Sequence, residues 1–153
     1  MDSGWGATQV SLTREFTTRS AEQTIALGRE LSRVIEPGEM IVLRGNLGAG
    51  KTTLVKGIAE GFQAALQDNV TSPTFNLVHE YRGPNVTLFH IDLYRIDTER
   101  ELMTLAIDDL RSEPRSILLV EWGEKFKQVE EQSDGEIAIE GGESERQISV
   151  RIA

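Results

Sequence analysis

The sequence predicts an α/β fold with a mostly parallel central sheet, flanking helices and a small antiparallel hairpin at the C-terminal end. Two apolar runs, residues 40–43 and 117–120, are typical of strands buried on both faces of a parallel sheet. Segments with the three- and four-residue apolar spacing of helices separate them. Residues 136–139 and 147–152 alternate around Gly141 and Gly142, and this pattern indicates the hairpin.

The composition indicates one globular domain over residues 1–153, with residues 1–9 expected to be flexible. Hydrophobic residues make up 39% and charged residues 27% of the chain, a balance that excludes wholesale disorder. The sequence has no cysteine, which excludes disulfides, thiolate zinc sites and thiol nucleophiles. Because the longest aliphatic runs, residues 40–43 and 117–120, have four residues, we expect no membrane span. The N-terminus has neither a basic n-region nor an apolar h-region, so we expect no secretion signal, and the expected location is cytoplasmic.

The formal net charge of −9 limits the partners that the chain can bind alone. Affinity for nucleic acid comes largely from lysine and arginine side chains that displace counterions from phosphates. An acidic chain without a basic stripe is therefore not expected to hold tRNA or an anionic membrane by itself.

The first half of the chain predicts a strand, a helix, a second strand and a second helix. Alternating side chains over 10–16 indicate a strand, and Ser20 with Gln23 forms a capping-box signal for a helix over about 21–35. The Pro-Gly pair at 37–38 ends that helix. Residues 39–63 then read as a buried strand, a glycine-rich loop and a helix that opens near Lys51.

The second half predicts two strands, a short helix and another buried strand. Residues 75–81 and 86–91 are expected to pair as strands across a turn that contains glycine and proline. Asp97 is expected to cap a short helix whose apolar side includes Leu102, Leu105 and Ala106. The apolar strand at 117–120 follows and ends in Glu121 and Trp122.

The loop between the second strand and the second helix carries a phosphate-binding motif. Residues 45–52 match G-x-x-x-x-G-K-[ST], and both the strand before and the helix after it are predicted independently of the motif. Glycines let successive backbone N–H groups turn inward on a phosphate, and the helix N-terminus adds positive potential. The predicted nucleotide-binding residues are Gly45, Asn46, Leu47, Gly48, Ala49, Gly50, Lys51, Thr52 and Thr53.

Within this loop the side chains have different expected roles. Lys51 is expected to reach the outer phosphates as a point charge, and the Thr52 hydroxyl is expected to ligate Mg²⁺. Asn46 and Thr53 are secondary contacts. The sequence leaves the adenine pocket and any role for Arg146 unassigned.

Acidic residues follow two of the predicted strands, and P-loop enzymes use such carboxylates to hold Mg²⁺ or the attacking water. Glu121 follows the more continuous apolar strand, so we assign it to the metal. Asp92 is assigned to the attacking water or to the second metal shell, with the two roles exchangeable. Trp122 is expected to form part of the site wall, whereas His79 and His90 are expected to be ordinary strand residues.

The same residues bear on two other classes of nucleotide-binding protein, GTPases and small-molecule kinases. GTP specificity through N-K-x-D is excluded, because the chain has four lysines and none follows an asparagine. A small-molecule kinase usually needs an acceptor pocket and an arginine-rich lid, and no lid-sized segment is evident. The kinase nevertheless remains the alternative function, together with a nucleotide-gated binding module that has no catalytic need.

Four motifs in order resemble the TsaE (YjeE) family of bacterial P-loop ATPases required for threonylcarbamoyl modification of tRNA. They are GNLGAGKTT at 45–53, SPTFNLVHEY at 72–81, HIDLYR at 90–95 and LVEW at 119–122. The resemblance covers roughly residues 20–125. It implies a P-loop NTPase fold, binding of ATP or ADP with Mg²⁺, and ATPase activity that is slow in the isolated chain.

The resemblance also implies roles for residues and partners. Lys51, Thr52 and Thr53 match ATP- and Mg²⁺-binding positions, and Asp92, Glu121 and Trp122 match positions needed for activity. Residues 72–74 resemble the family's switch-type loop, where Thr74 could sense the third phosphate. Family members work with TsaB and TsaD, and ATP hydrolysis is thought to reset that complex, so tRNA contact is expected to be indirect. The chain departs from the family pattern at Asn46, where aspartate is common, and at Ala106, where glycine is frequent.

Overall fold

The computed structural model describes residues 12–46, 50–65, 69–73, 77–142 and 144–152, with Leu12 described by its backbone alone. Seven strands form one sheet. They are β1 Leu12–Thr18, β2 Met40–Arg44, β3 Val78–Arg82, β4 Thr87–Asp92, β5 Ser116–Glu121, β6 Gly135–Gly141 and β7 Arg146–Ile152.

The sheet is mixed, with the strand order β1-β7-β6-β2-β5-β4-β3. The central strands β6, β2, β5 and β4 run parallel to one another. The pairs β1–β7, β6–β7 and β3–β4 are antiparallel. The predicted α/β fold is confirmed, and the C-terminal hairpin of β6 and β7 is part of the same sheet. Because antiparallel pairs form both edges, the sheet is parallel only at its centre.

Five α-helices and one 3-10 helix flank this sheet in the described parts of the chain. They are α1 Ala21–Leu31, α2 Lys51–Gly61, α3 Glu99–Thr104, α4 Ile107–Ser112, the 3-10 helix Gly123–Lys125 and α5 Lys127–Gln132. In that same part of the molecule, no helix is both long enough and apolar enough to cross a membrane.

The two faces of the sheet carry separate apolar cores. On one face, α1 and α2 pack on alternate residues of the central strands, with Leu31, Leu54 and Ile58 fully buried. The other face is covered by the segments around α3 and α5, including Leu102 and Val129. Strands buried on both faces explain why β2 and β5 are continuous apolar runs in the sequence.

The helices α1 and α2 touch through glycine backbones. A Cβ atom added at Gly28 would lie 2.8 Å from the Cα of Gly57, and one added at Gly57 would meet the carbonyl oxygen of Ile25. No side chain fits between the helices at this point. The close contact fixes α2, which begins at Lys51, against α1.

Helix α1 ends four residues earlier than predicted. It begins as expected, with the Ser20 hydroxyl accepting a hydrogen bond from the backbone N–H of Gln23 at 3.0 Å. After Leu31 the chain tightens, because Val34 N–H donates to the carbonyl of Leu31 three residues back. Val34 and Ile35 still pack on the core, so the apolar period continues past the end of the helix.

The prediction for the short helix α3 was wrong at both ends. Thr98, rather than Asp97, is its N-cap, because Thr98 and Glu101 form a capping box. Ala106 is exposed and adopts a left-handed backbone with φ of 51°, so it separates α3 from α4 instead of extending the apolar side of α3. The helices α4 and α5 were not predicted, and the expected strand start at 75–76 and the segment 1–9 lie outside the described residues.

Candidate functional site

The phosphate-binding loop connects the buried strand β2 to α2, as its motif requires. Gly50 is the N-cap of α2 and has φ of 102°, a left-handed conformation that glycine adopts without a Cβ clash. Lys51 is the first residue of the helix, and Thr52 and Thr53 follow in its first turn. The predicted contacts Leu47, Gly48 and Ala49 lie outside the described residues, while Asn46 is exposed and Gly45 is half-buried.

Lys51 is buried and points back into its own loop. Its side chain is 5% exposed, and its Nζ donates a hydrogen bond to the carbonyl oxygen of Gly45 at 2.5 Å. The same Nζ lies 3.5 Å from a carboxylate oxygen of Glu121 and 4.8 Å from the ring centroid of Trp122. The ammonium is thus held by a carbonyl, a carboxylate and an aromatic face.

The two predicted acids lie side by side at the carboxyl ends of neighbouring parallel strands. Asp92 ends β4 and Glu121 ends β5, and the two residues are register partners. Both are almost completely buried. A carboxylate oxygen of Asp92 accepts the backbone N–H of Tyr94 at 2.9 Å. The structure therefore brings Lys51 and Glu121 into contact and sets Asp92 on the adjacent strand.

His90 also belongs to this group, although we expected an ordinary strand residue. It is fully buried, and its Nε2 lies 2.5 Å from a carboxylate oxygen of Glu121. Its Nδ1 has no hydrogen-bond partner among the described residues. The sequence did contain an indication that His90 belongs to the site. Residues two apart in a strand share a face, and His90 lies two residues before Asp92.

Glu121 carries the clearest electrostatic perturbation of the site. Burial raises the pKa of its carboxyl, but the hydrogen bond and charge of His90, together with Lys51, outweigh burial. The net result is a pKa below the ordinary value of glutamate. Glu121 is therefore an ionised carboxylate inside the protein, flanked by Lys51 and His90.

Trp122 turns the chain away from the site immediately after Glu121. It has a left-handed backbone with φ of 62°, which is uncommon for a bulky residue and is found mostly where the surrounding structure enforces it. Its ring packs against Tyr94, with centroids 5.3 Å apart. Its ring also borders the Lys51 ammonium, and the expected role of Trp122 in the site wall stays a prediction.

Lys125 holds the loop that follows Asp92, a role that no local sequence pattern indicated. Its Nζ donates to the carbonyl oxygens of Leu93, Tyr94 and Ile96 at 3.3, 2.9 and 2.7 Å. Three carbonyls on one ammonium tie this loop to the 3-10 helix after Trp122. The loops beyond β4 and β5 are therefore fixed to each other.

The residues of the site fit a magnesium ion in their chemistry. Thr52 supplies a hydroxyl in the first turn of α2, and Asp92 and Glu121 supply carboxylates at adjacent strand ends. Mg²⁺ keeps several waters and takes few protein ligands when a nucleotide provides phosphate oxygens. Accordingly, the described ranges hold no group of three or more histidine, aspartate or glutamate side chains arranged for a metal. The predicted phosphate sensor Thr74 lies outside the described residues.

A cavity of about 380 Å³ lies elsewhere, on the face covered by α3, α4 and α5. Its lining includes Met40, Met103 and Gln132, and none of the described residues of the phosphate-binding motif borders it. It is therefore separate from the chemical groups around Lys51.

Strand β2, the glycine-rich loop and helix α2, with acids ending the adjacent parallel strands, are the architecture of P-loop nucleotide-binding proteins, and this chain is a member of that class. The family model described as "Threonylcarbamoyl adenosine biosynthesis protein TsaE" matches residues 18–148. The chain therefore belongs to the TsaE family.

Individual relatives agree with this assignment. The chain is 35% identical over 136 residues to the tRNA threonylcarbamoyladenosine biosynthesis protein TsaE of Bacillus subtilis (strain 168), covering 88% of this chain and 83% of the relative. It is 39% identical over 118 residues to the protein of that name from Aquifex aeolicus (strain VF5), with 77% and 83% covered. Its fold is similar to the crystal structure of YdiB from Bacillus subtilis, with a TM-score of 0.67, 29% identity and coverage of 95% and 88%.

Proposed function

We propose that this chain is a magnesium-dependent ATPase that supports threonylcarbamoyladenosine modification of tRNA together with TsaB and TsaD. The observation that carries the proposal is the buried contact between Lys51 and Glu121 at the end of the phosphate-binding loop. Membership of the TsaE family supports the pathway. The partners and the resetting role of hydrolysis follow from the resemblance described above.

Lys51 is the residue that changes partners when ATP binds. In the structure its ammonium donates to the carbonyl of Gly45 and lies 3.5 Å from a carboxylate oxygen of Glu121. The outer phosphates of ATP are stronger anionic partners and would draw Nζ away from these contacts. Binding therefore replaces an internal ion pair by a contact to the nucleotide, and Glu121 is released toward the metal side of the site.

The other roles in ATP hydrolysis are divided among the two acids, two threonines and the metal. Thr52 and Glu121 would hold Mg²⁺, which neutralises charge on the phosphate oxygens when it is bound. Asp92 would accept a hydrogen bond from the attacking water and orient it. The roles of the two acids remain exchangeable, because both carboxylates are buried at adjacent strand ends. Thr74 would respond to the third phosphate and report its loss.

The proposed partners fit the charge of the chain. With a formal charge of −9, the chain is not expected to supply the cationic surface from which nonspecific tRNA affinity comes, so TsaB and TsaD would hold the tRNA. This role would place the protein in the cytoplasm with its tRNA substrate. We expect negligible tRNA binding by the isolated chain at physiological salt, measured by filter retention, and micromolar binding would contradict this.

The proposal is tested by ATP hydrolysis with Mg²⁺, measured for the purified chain alone and with TsaB and TsaD added. The wild-type protein should turn over slowly alone and faster with both partners. Lys51→Ala should abolish nucleotide binding and activity, because the only buried ammonium of the motif is removed. Lys56→Ala, on the same helix α2, is the matched control and should behave as wild type.

Two other results would overturn the proposal. Turnover onto a small-molecule acceptor, independent of TsaB and TsaD, would identify a kinase. If Glu121→Ala and Asp92→Ala still bind ATP and support many modification cycles, the chain is a nucleotide-gated binding module and hydrolysis is not required.

A further inference from the structure

Arg146 lies against the phosphate-binding loop although it comes from the far end of the chain. It is the first residue of β7, where its register partners are Thr18 on β1 and Gly141 on β6. A Cβ atom added at Gly50 would lie 2.7 Å from its Nε and 3.2 Å from its Cζ. The guanidinium therefore packs directly on the residue that precedes Lys51.

This arginine has no carboxylate partner within the part of the chain that the structure describes. The neighbouring Glu145 pairs instead with Arg19 at 3.3 Å. The Nε of Arg146 is buried without a hydrogen-bond partner. A guanidinium that is partly removed from water and has no counter-charge is costly to bury, so an anion that reaches it would bind favourably.

Among the described residues, the guanidinium makes one hydrogen bond, and this bond does not explain its placement. Nη1 donates to the hydroxyl oxygen of Thr24 at 3.3 Å, which is a neutral and long contact. Thr24 is already bonded to the hydroxyl of Thr18 at 2.8 Å and to the carbonyl of Ser20 at 3.2 Å. Thr24 would thus remain satisfied without Arg146, and its contact orients the guanidinium instead of neutralising it.

We propose that Arg146 binds a phosphate oxygen of the nucleotide held by the P-loop, as a second cation beside Lys51. The inference rests on the proposed nucleotide binding and adds a residue to it. The planar fork of arginine suits the paired oxygens of a phosphate, and its position over Gly50 sets it next to the backbone that cradles the phosphates. Strand β7 is thereby part of the nucleotide site.

The test compares two ligands that share a phosphate chain. Binding of magnesium ATP and of magnesium tripolyphosphate, which has no base or sugar, is measured by isothermal titration calorimetry. Arg146→Ala should weaken both ligands by about 10- to 100-fold, the range of hydrogen bonds to charged groups. Arg151→Ala, an exposed arginine on the same strand, is the matched control and should leave both affinities unchanged.

Arg146→Gln covers the case in which the alanine variant fails to fold. Glutamine keeps much of the side-chain length and a donor but removes the charge, and thermal unfolding of each variant checks that it is folded. A folded Arg146→Gln protein should again lose affinity for both ligands, by a similar factor.

Each contrary result identifies what has failed. Unchanged affinities in folded Arg146 variants would overturn the contact, provided that Lys51→Ala abolishes binding. A loss for ATP but not for tripolyphosphate would assign Arg146 to the base or sugar and overturn the phosphate contact. If the wild-type protein binds neither ligand better than Lys51→Ala does, the proposed nucleotide site itself is overturned, and the contact with it.

Discussion

The two ends of the central parallel strands bury their charged groups in different ways. At the carboxyl ends, the side chains of Lys51 and Glu121 are each 5% exposed. At the amino ends, the ion pair of Arg111 and Asp134 is 27% and 34% exposed, and the N–H groups of Arg111 also bond to the carbonyls of Gly38 and Gln132. One end holds deeply buried charge, whereas the other holds charge at the surface.

Hydrogen bonding separates the two ends further. In the described chain, the buried side-chain atoms without a partner belong to residues at the carboxyl ends of the strands or beside the phosphate-binding loop. They are His90 Nδ1, Trp122 Nε1, Glu124 Oε1 and Arg146 Nε. Unpaired buried polar atoms cost stability. We infer that the carboxyl end is arranged to receive further polar groups, while the amino end is arranged to hold the sheet together.

Glu121→Gln should produce the largest effect, at the carboxyl end. It keeps the shape and some hydrogen bonds of the side chain but removes the charge that pairs with Lys51 and His90. We expect ATP hydrolysis to fall by about 100-fold or more, with ATP affinity changed only a few-fold. Single-turnover hydrolysis and calorimetric binding measure the two quantities separately. Activity close to that of wild type would remove Glu121 from the chemistry.

Arg111→Ala, at the amino end, should lower the stability of the fold without changing ATP affinity. It removes a half-exposed ion pair and hydrogen bonds to two carbonyls, so we expect about 1–2 kcal/mol of destabilisation after discounting for solvent screening. ATP affinity should not change. Urea unfolding measures the free energy, with Arg33→Ala as the control, because Arg33 forms only an exposed pair with Glu30. Weaker ATP binding in a folded Arg111→Ala protein would contradict the division between the two ends.

Ala106→Gly should raise the free energy of unfolding, by less than Arg111→Ala lowers it. Ala106 holds φ of 51° between α3 and α4, a conformation that costs an alanine about 1–2 kcal/mol and a glycine little. Glycine also gains entropy in the unfolded chain, so the net stabilisation should be about 0.5–1 kcal/mol. The melting temperature measures it, and Ala138→Gly, within strand β6, should lower stability instead. A lower melting temperature for Ala106→Gly would show that the left-handed conformation carries no cost here.

The pH dependence of stability should show the smallest effect. The pKa of Glu121 is lowered in the folded state, whereas an ordinary glutamate titrates near 4.5. The stabilisation from this carboxylate is therefore fully present above pH 4.5 and is lost as the pH falls through the folded-state value. Between about pH 6 and pH 3, the melting temperature of wild type should fall more steeply than that of Glu121→Gln. Parallel curves would show that Glu121 is not coupled to folding.

The sequence predicted the parts of the site that follow from local patterns. Strands β2 and β5 are uninterrupted apolar runs, so the residues immediately after them, including Glu121, could be assigned to strand ends. The motif around Lys51 depends on consecutive residues and was equally readable. By contrast, α4 and α5 have six residues each and no side-chain N-cap, so they lack both a clear helical period and the kind of capping residue that α3 has.

The contacts that the sequence did not predict join residues far apart in the chain. The carbonyls that Lys125 binds are 29–32 residues earlier, and the hydrogen bond between Arg146 and Thr24 spans 122 residues. His90 had a local signal, but its partner Glu121 is 31 residues away on the next strand. Such pairs depend on strand order and register, which no local pattern specifies.

The glycine contact between α1 and α2 has a consequence for how the chain can evolve. At both Gly28 and Gly57, the atoms that a new Cβ would meet belong to the backbone of the opposite helix. A clash between side chains can be relieved by a second substitution that shortens the neighbour, but no substitution shortens a backbone. A change at either position therefore has no suppressor among the groups that the new Cβ would contact, and revertants at these two positions should carry glycine.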